Sequence, residues 1–313
     1  MGDKIHSQAM DVPSQIANLK NNGLVIEDEK FASEILNKIS YYRLIKAYDK
    51  SFKDKKTGKY RKGTSFNKIV NVYNFDKELR QLLMPLLQDI EITLRCQLSN
   101  HFSVKYGVLG YLDANNFDEN CLYSTLEDKM SQCIALSKES PIIKNFKEKY
   151  ADGNVPFYAA VEVFTFGTLA LFYNSMKTED RKTIANMYDG VDEAYLSSWL
   201  ISIGYVRNLC FHYNRLYKKV LIKKPRLYKK QDGEVNNSYL YSVLICMRYL
   251  CGNTDKWTDF VESLDKLFAY YSNDIKTSGI GCIEQGWKEK LLGHEYVNTP
   301  FDDLLKNVNV NND

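Results

Sequence analysis

The sequence predicts an all-α fold, a helical bundle extended by further helices at its N-terminal and C-terminal ends. Three observations carry this. Apolar residues recur at threes and fours through most of the chain, the spacing that lines one side of a helix with 3.6 residues per turn. The six prolines fall mostly near the boundaries of those periodic stretches, where a helix has to end in any case. And 313 residues at 44% hydrophobic and 26% charged can bury a sizeable core in one large or two modest domains.

Taken in order, the first helix is expected from Ser33 to Tyr48, with Ile35, Leu36, Ile39, Tyr42 and Ile45 on one stripe. The polar, Lys- and Gly-rich stretch from Lys53 to Thr64 reads as a loop or short hairpin. From Phe66 to Phe102 the repeat runs through Ile69, Val70, Tyr73, Leu79, Leu83, Leu86, Ile90, Leu94 and Leu98. That is far longer than an ordinary helix, and Pro85 is expected to bend it or split it. Residues 110–125 read as loop-rich, Ser124 to Tyr150 as helical, and Pro156 opens a helix from Phe157 to Tyr173. Thr178, followed by Glu179 and Asp180, starts another that reaches Met187. Asp192 or Glu193 precedes a helix from Tyr195 to Gly204 that leads into the segment from Val206 onward. Tyr239 to Cys251 and Trp257 to Ser272 complete the helices, and the Asn-rich end after Asn307 is expected to fray. The chain accordingly divides into an N-terminal helical segment and loop (1–60), a central helical domain (61–230) and a C-terminal helical extension (231–313).

Seven cysteines form an odd set without a C-x-x-C pair, and the four histidines lie far apart. Neither a disulfide framework nor a metal site is indicated, no cofactor motif stands out, and buried reduced thiols are the expectation. No apolar run begins at Met1 and none approaches about eighteen residues, so the protein is expected to be cytoplasmic, without membrane association.

The most informative stretch is Arg207-Asn208-Leu209-Cys210-Phe211-His212, followed by Tyr213-Asn214-Arg215. It brings a cation, an amide and an imidazole within two helical turns. RNA carries its own nucleophile, the 2′-hydroxyl. Cleavage therefore needs only a group to take that proton, positive charge on the phosphate and a proton for the departing 5′-oxygen. Histidine, with an ordinary pKa near 6.5, serves as base or acid at neutral pH. Arg207 would hold phosphate oxygens through its fork of donors, and Asn208 would orient the imidazole or the RNA. If Val206 to Val220 is helical, Asn208, His212 and Arg215 share one side, away from Val206, Leu209, Tyr213, Leu216 and Tyr217. Arg207 and His212 then lie about 140° apart, so they address one phosphate only if the helix distorts there or a second copy of the motif completes the site. In the plainer alternative the arginine pairs with a carboxylate and the histidine bonds locally, since an R-x4-H spacing often arises by accident.

From Ala194 to Gln231 there is no acid but nine cations: Arg207, Arg215, Lys218, Lys219, Lys223, Lys224, Arg226, Lys229 and Lys230. The whole chain is only +3, so the remainder is acidic and the charge is concentrated, as expected for a polyanion partner. Tyr205, Tyr213, Tyr217 and Tyr228 interleave with the cations and suit stacking on unpaired bases, although Tyr213 and Tyr217 fit core packing equally well. Pro225 interrupts any long amphipathic helix of the membrane-surface kind. Arg95 and His101 form a second arginine–histidine pair, about 120° apart on an ideal helix. Arg95 either supports the active region or pairs with Glu91 one turn earlier. Glu162, an acid among aromatics, is expected to be paired in the interior rather than aimed at a site.

In this order the landmarks resemble the Abi-like family of bacterial abortive-infection proteins, of AbiD/AbiF type. The matching pieces are Leu19-Lys20-Asn21-Asn22-Gly23-Leu24, Ile39-Ser40-Tyr41-Tyr42-Arg43-Leu44, Gly63-Thr64-Ser65-Phe66, Tyr73-Asn74-Phe75-Asp76-Lys77-Glu78-Leu79-Arg80, Ile90-Glu91-Ile92-Thr93-Leu94-Arg95, Glu162-Val163-Phe164-Thr165-Phe166-Gly167-Thr168-Leu169 and the Arg207 to His212 motif. The family resembles a branch of the HEPN helical superfamily, whose ribonucleases pair R-x4-6-H motifs across a dimer or between domains. The resemblance implies a HEPN-like bundle and metal-independent endoribonuclease activity leaving a 2′,3′-cyclic phosphate and a 5′-hydroxyl. Arg207 and His212 take the catalytic positions and Asn208 the polar position after the arginine. It also implies phage defence, RNA as substrate, a small non-coding RNA as a partner, and a homodimer. Phe211 and Tyr213 depart from the small residue and second histidine often found there. Two other readings stay open: a non-catalytic module that holds a structured non-coding RNA, and a regulator whose basic segment binds an acidic protein.

Overall fold

The computed structural model describes residues 9–231, 233–252, 254–283 and 285–293, and of Lys230 the backbone alone. The fold is all-α, as the apolar spacing predicts; among the described residues there is no β-strand, only isolated bridge pairs such as Lys53 with Tyr60 in the polar loop. The expected frayed end after Asn307 lies outside the described residues.

Two helices precede the long one: α1 (Val12–Asn21) and α2 (Glu29–Lys38), capped at their N-termini by Asp11 and Asp28. Gly23, at φ +87°, closes α1, with its N–H on the Lys20 carbonyl and the Leu24 N–H on that of Leu19, a termination that favours glycine at the left-handed position. The single helix expected from Ser33 to Tyr48 does not form. Ile39 is extended, and the chain resumes in a wide π turn (Tyr42–Lys46) and a 3-10 turn (Asp49–Ser51). Ser40 Oγ accepts from the Arg43 N–H at this restart, and adjacent Leu44 and Ile45 are both fully buried, which a narrow apolar stripe would not permit.

α3 (Phe66–Tyr106) spans 41 residues, about 60 Å at 1.5 Å per residue, and Ser65 caps it. Of the two outcomes expected at Pro85, a bend or a split, the split does not occur: the helix runs through it. The proline is exposed, so the carbonyl left without its N–H partner faces water instead of an apolar core. The stretch Ser124 to Tyr150 divides into α4 (Tyr123–Leu136) and α5 (Pro141–Lys149), because Pro141 is suited to a first helical position and not to an interior one. Phe157 to Tyr173 also divides: one turn of helix, α6 (Phe157–Ala160), a 3-10 turn (Val161–Val163), then α7 (Phe166–Ser175) capped by Thr165. There follow α8 (Thr178–Ala185), α9 (Glu193–Phe211), α10 (Leu240–Cys251), α11 (Asp255–Tyr270) and the short α12 (Trp287–Leu292).

α9 is the centre of the packing, in contact with α3, α7, α8 and α10, while α11 lies along α3 and against α12. Its sequence fits that position: Leu196, Trp199, Leu200, Ile203, Val206, Leu209 and Cys210 are all buried, giving the helix one broad apolar face. At Gly204 a Cβ would meet Phe166 of α7 at 2.7 Å; the missing side chain lets α7 and α9 approach. No described helix is long and apolar enough to cross a membrane. The cysteines are free, as expected, but Cys96 is exposed and Cys121 and Cys251 are half-buried, so the expectation of uniformly buried thiols is corrected.

Candidate functional site

The Arg207 to His212 motif forms the last turn of α9 and its cap. The helix ends at Phe211, so the condition of a helix from Val206 to Val220 does not hold past that residue, and His212 is the C-cap residue at φ −89°, ψ 14°. The Tyr213 N–H bonds the Cys210 carbonyl (3.1 Å) and the Asn214 N–H that of Leu209 (2.8 Å), the same closing pattern as at Gly23, but with a tyrosine at φ +56° in the left-handed position. Tertiary contacts enforce it. Arg43 Nη1 donates to the carbonyls of Tyr213 (3.0 Å) and His212 (3.4 Å), and Arg80 Nη1 to that of Asn214 (2.9 Å). Asp76, fully buried, accepts from the N–H groups of Leu216 (3.0 Å) and Tyr217 (2.8 Å) and from the Tyr48 hydroxyl (2.7 Å). Burial pushes the Asp76 carboxyl above its ordinary value, against the pull of those three donors.

This termination turns the His212 ring out to solvent rather than into the core. Arg207 is half-buried; its Nε pairs with Glu91 Oε2 of α3 (3.0 Å), and its guanidinium carbon lies 4.9 Å from the centre of the exposed Phe211 ring. The other contact of that ring is edge-on with His212, at 5.4 Å between centroids. The Phe211 ring thus touches both the Arg207 cation and the His212 imidazole. Asn208 is exposed, and its Oδ1 accepts from Arg207 Nη1 at 3.4 Å. On its other side Asn208 borders an apolar groove of about 400 Å³ between α7 and α9, which Gly167, Leu171, Ile201 and Lys223 also line.

Glu91 organises the second motif as well. Arg95 Nη2 pairs with Glu91 Oε1 (2.9 Å), so one buried carboxylate holds both arginines. Arg95 also donates to the carbonyls of Val161 (3.1 Å) and Phe164 (2.5 Å), fixing the turn on which Glu162 sits. Glu162 itself is exposed, which corrects the expectation of a paired interior acid: the run is apolar, but the 3-10 turn breaks its helical periodicity and puts this one position outside. His101 lies elsewhere. Its Nε2 meets the buried Asp180 Oδ1 at 2.7 Å, in a cluster with Lys105 and Tyr106, away from the Arg207 group.

The basic segment is contiguous in sequence but extended in space. Arg215, Lys218 and Lys219 follow the motif directly. Arg215 donates to the Ala47 carbonyl at 2.5 Å. The chain then returns along α9, Lys223 and Lys224 lie exposed, and the Arg226 N–H donates to Ser198 Oγ while its guanidinium covers Tyr195 at 4.7 Å. By helix rise, Ser198 is about 20 Å from His212. Lys229 is exposed in the turn beyond; the side chain of Lys230 is outside the described residues. Of the interleaved tyrosines, Tyr217 is buried and Tyr228 stacks on Tyr195 at 4.1 Å, leaving Tyr205 half-buried and Tyr213 exposed.

The site also contains residues to which the sequence reading gave no role. Arg43, Asp76 and Arg80 hold the segment after the histidine, and Arg61, Lys68 and Lys276 join Arg215 around Lys218. Desolvation and those four like charges pull the Lys218 pKa down. The signal for Asp76 and Arg80 was present: two opposite charges, four apart, on the apolar stripe of α3. The three added cations come from distant parts of the chain and carry no local signal. A family model described as Abi-like protein matches residues 34–218, more than half of the chain. No curated protein and no solved structure matches.

Proposed function

From the premise that this chain belongs to the Abi-like protein family, we propose that it is an abortive-infection effector that cuts RNA without a metal, at a composite site built from Arg207, Asn208 and His212. The observation that carries this reading is the exposed His212 imidazole at the end of α9, beside an arginine and at the head of a surface rich in cations. His212 takes or returns the proton in 2′-hydroxyl attack, and the arginine donors steady the phosphate charge that develops. Arg215, Lys218, Lys219, Lys223, Lys224, Arg226, Lys229 and Lys230, joined by Arg61, Lys68 and Lys276, guide the RNA backbone. Arg95 supports the site at second hand through Glu91. Because Arg207 Nε is engaged with Glu91 and its guanidinium lies against the Phe211 ring, the HEPN-like reading adds a second copy of the motif in a homodimer.

That same engagement of Arg207 favours one other reading, a non-catalytic protein that holds a structured non-coding RNA. The test is direct. Purified protein is incubated with RNA in excess EDTA; the wild type is expected to cut and leave 2′,3′-cyclic phosphate ends, while His212→Ala abolishes cutting and keeps RNA affinity within a few-fold. RNA left intact by the wild type under every condition, yet bound, would establish the second reading.

A further inference from the structure

Beside the motif lies a second recess, of about 320 Å³, between the π turn and the residues that follow His212, near the lower end of the size range for small-ligand sites. Four tyrosines and two arginines shape it. Tyr48 and Tyr73, with ring centroids 6.3 Å apart and edge to face, belong to its interior side, and Tyr42 and Tyr213, 80% and 67% exposed, to its rim. Arg43 and Arg215 supply the charge. Their known acceptors are backbone carbonyls, those of His212 and Tyr213 for Arg43 and of Ala47 and Lys218 for Arg215. Among the described residues no carboxylate pairs with either, and Arg43 Nε and Nη2 make no hydrogen bond. The acids nearby are already engaged: Asp49 with Lys53 at 2.8 Å, and Asp76 with its three donors.

Two exposed tyrosines on the rim, one of which (Tyr213) already has the Arg43 guanidinium 5.7 Å from its ring centre, and two guanidinium groups with no carboxylate partner among the described residues match one ligand chemistry, an aromatic base with a phosphate attached. The left-handed backbone of Tyr213 points the same way, since strain held in place by tertiary contacts gathers where a side chain has to be presented. We infer that this recess seats one unpaired nucleotide of an RNA strand, adjoining the phosphate that His212 faces, so that Tyr42 and Tyr213 stack its base and Arg43 and Arg215 take its phosphate. The inference rests on the RNA-facing reading of the motif, but not on catalysis. It makes single-stranded RNA the substrate class, because a paired base would enter only at the cost of unpairing and leaving its stack.

The experiment uses the full chain. Affinity is measured for a labelled single-stranded oligouridylate, for an RNA duplex of the same length, and for UMP and AMP as competitors, with wild type, Tyr42→Ala and His212→Ala. Tyr42 is solvent-facing, so its removal leaves folding intact. Tyr42→Ala is expected to weaken single-strand binding by about 5- to 100-fold, the range for loss of one stacking platform, and to leave duplex binding unchanged. A 4-thiouridine oligonucleotide, irradiated on the wild type, is expected to cross-link to peptides containing Tyr42 or Tyr213. Unchanged single-strand affinity, with cross-links confined to residues 218–230, overturns the inference. Loss of mononucleotide binding alone, with strand binding retained, overturns it too, in favour of a free nucleotide. The two readings fail separately: if Tyr42→Ala loses single-strand binding while no variant or condition gives cleavage, the recess stands and the nuclease falls. If cleavage depends on His212 and Tyr42→Ala binds as wild type, the reverse holds.

Discussion

Two buried carboxylates of this protein each hold several partners, and they divide the two arginine–histidine pairs between different tasks. Glu91 spans Arg95 and Arg207, so the geometry of the candidate site is set from α3. Asp180 instead gathers His101, Lys105 and Tyr106 at 2.7, 2.6 and 2.7 Å. Burial alone would raise the Asp180 pKa, but these donors outweigh it and hold the carboxyl below its ordinary value. A carboxylate depressed in this way contributes stability that is present above its unfolded pKa, near 3.9, and lost as pH falls through its lower folded value. Asp180→Asn is therefore expected to unfold more easily than wild type at pH 7, by roughly 1–3 kcal/mol, with the gap closing below about pH 4. Urea unfolding of both proteins at pH 7 and at pH 3 measures this, and an undiminished gap at pH 3 would show that the cluster is not held by the charge of Asp180. His101 is thereby accounted for as a partner within the fold.

At the level of elements, the decisive event is the end of α9 at Phe211. Its start was legible, because Asp192 and Glu193 precede an apolar repeat, and Asp192 does cap the helix. Its end was not, because no glycine or proline follows and Tyr213, Leu216 and Tyr217 continue a helical spacing. What stops the helix is remote: Arg43 from the π turn and Arg80 and Asp76 from α3. A left-handed non-glycine residue costs about 1 kcal/mol that glycine escapes. Tyr213→Gly is accordingly expected to be more stable than Tyr213→Ala by about 1 kcal/mol, since both lose the ring beside Arg43 and differ only in the Cβ. Equal denaturation midpoints for the two variants would mean that the cap relaxes once the ring is gone. The other misread boundaries have nearer causes. Periodicity located α3 as far as Phe102 but not its continuity past Pro85, while the breaks after Lys38 and Val163 come from local turns and the one after Leu136 from Pro141, none of which changes the apolar count much.

At the scale of the molecule, the run of cations at 207–230 is one stripe in the sequence and two surfaces in the fold. One is the group around Lys218, completed by Arg61, Lys68 and Lys276; the other follows the return of the chain along α9 to Arg226. On the proposed RNA-cleaving reading a strand would engage His212 and one or both of these surfaces, and a single protomer offers it an imidazole with the nearest motif arginine turned toward Glu91 and lying against Phe211. In the proposed homodimer, a two-fold partner would set the arginine of one chain opposite the histidine of the other. If each site takes one group from each protomer, Arg207→Ala and His212→Ala are both inactive alone, but refolding them together makes half the dimers mixed, each with one intact site of two. About a quarter of wild-type RNA cleavage is then expected to return. Native mass measurement verifies that mixed dimers form. If they form and cleavage stays at the level of the single variants, arginine and histidine do not act across the interface in this way, and either the site lies within one chain or both copies of each group are required.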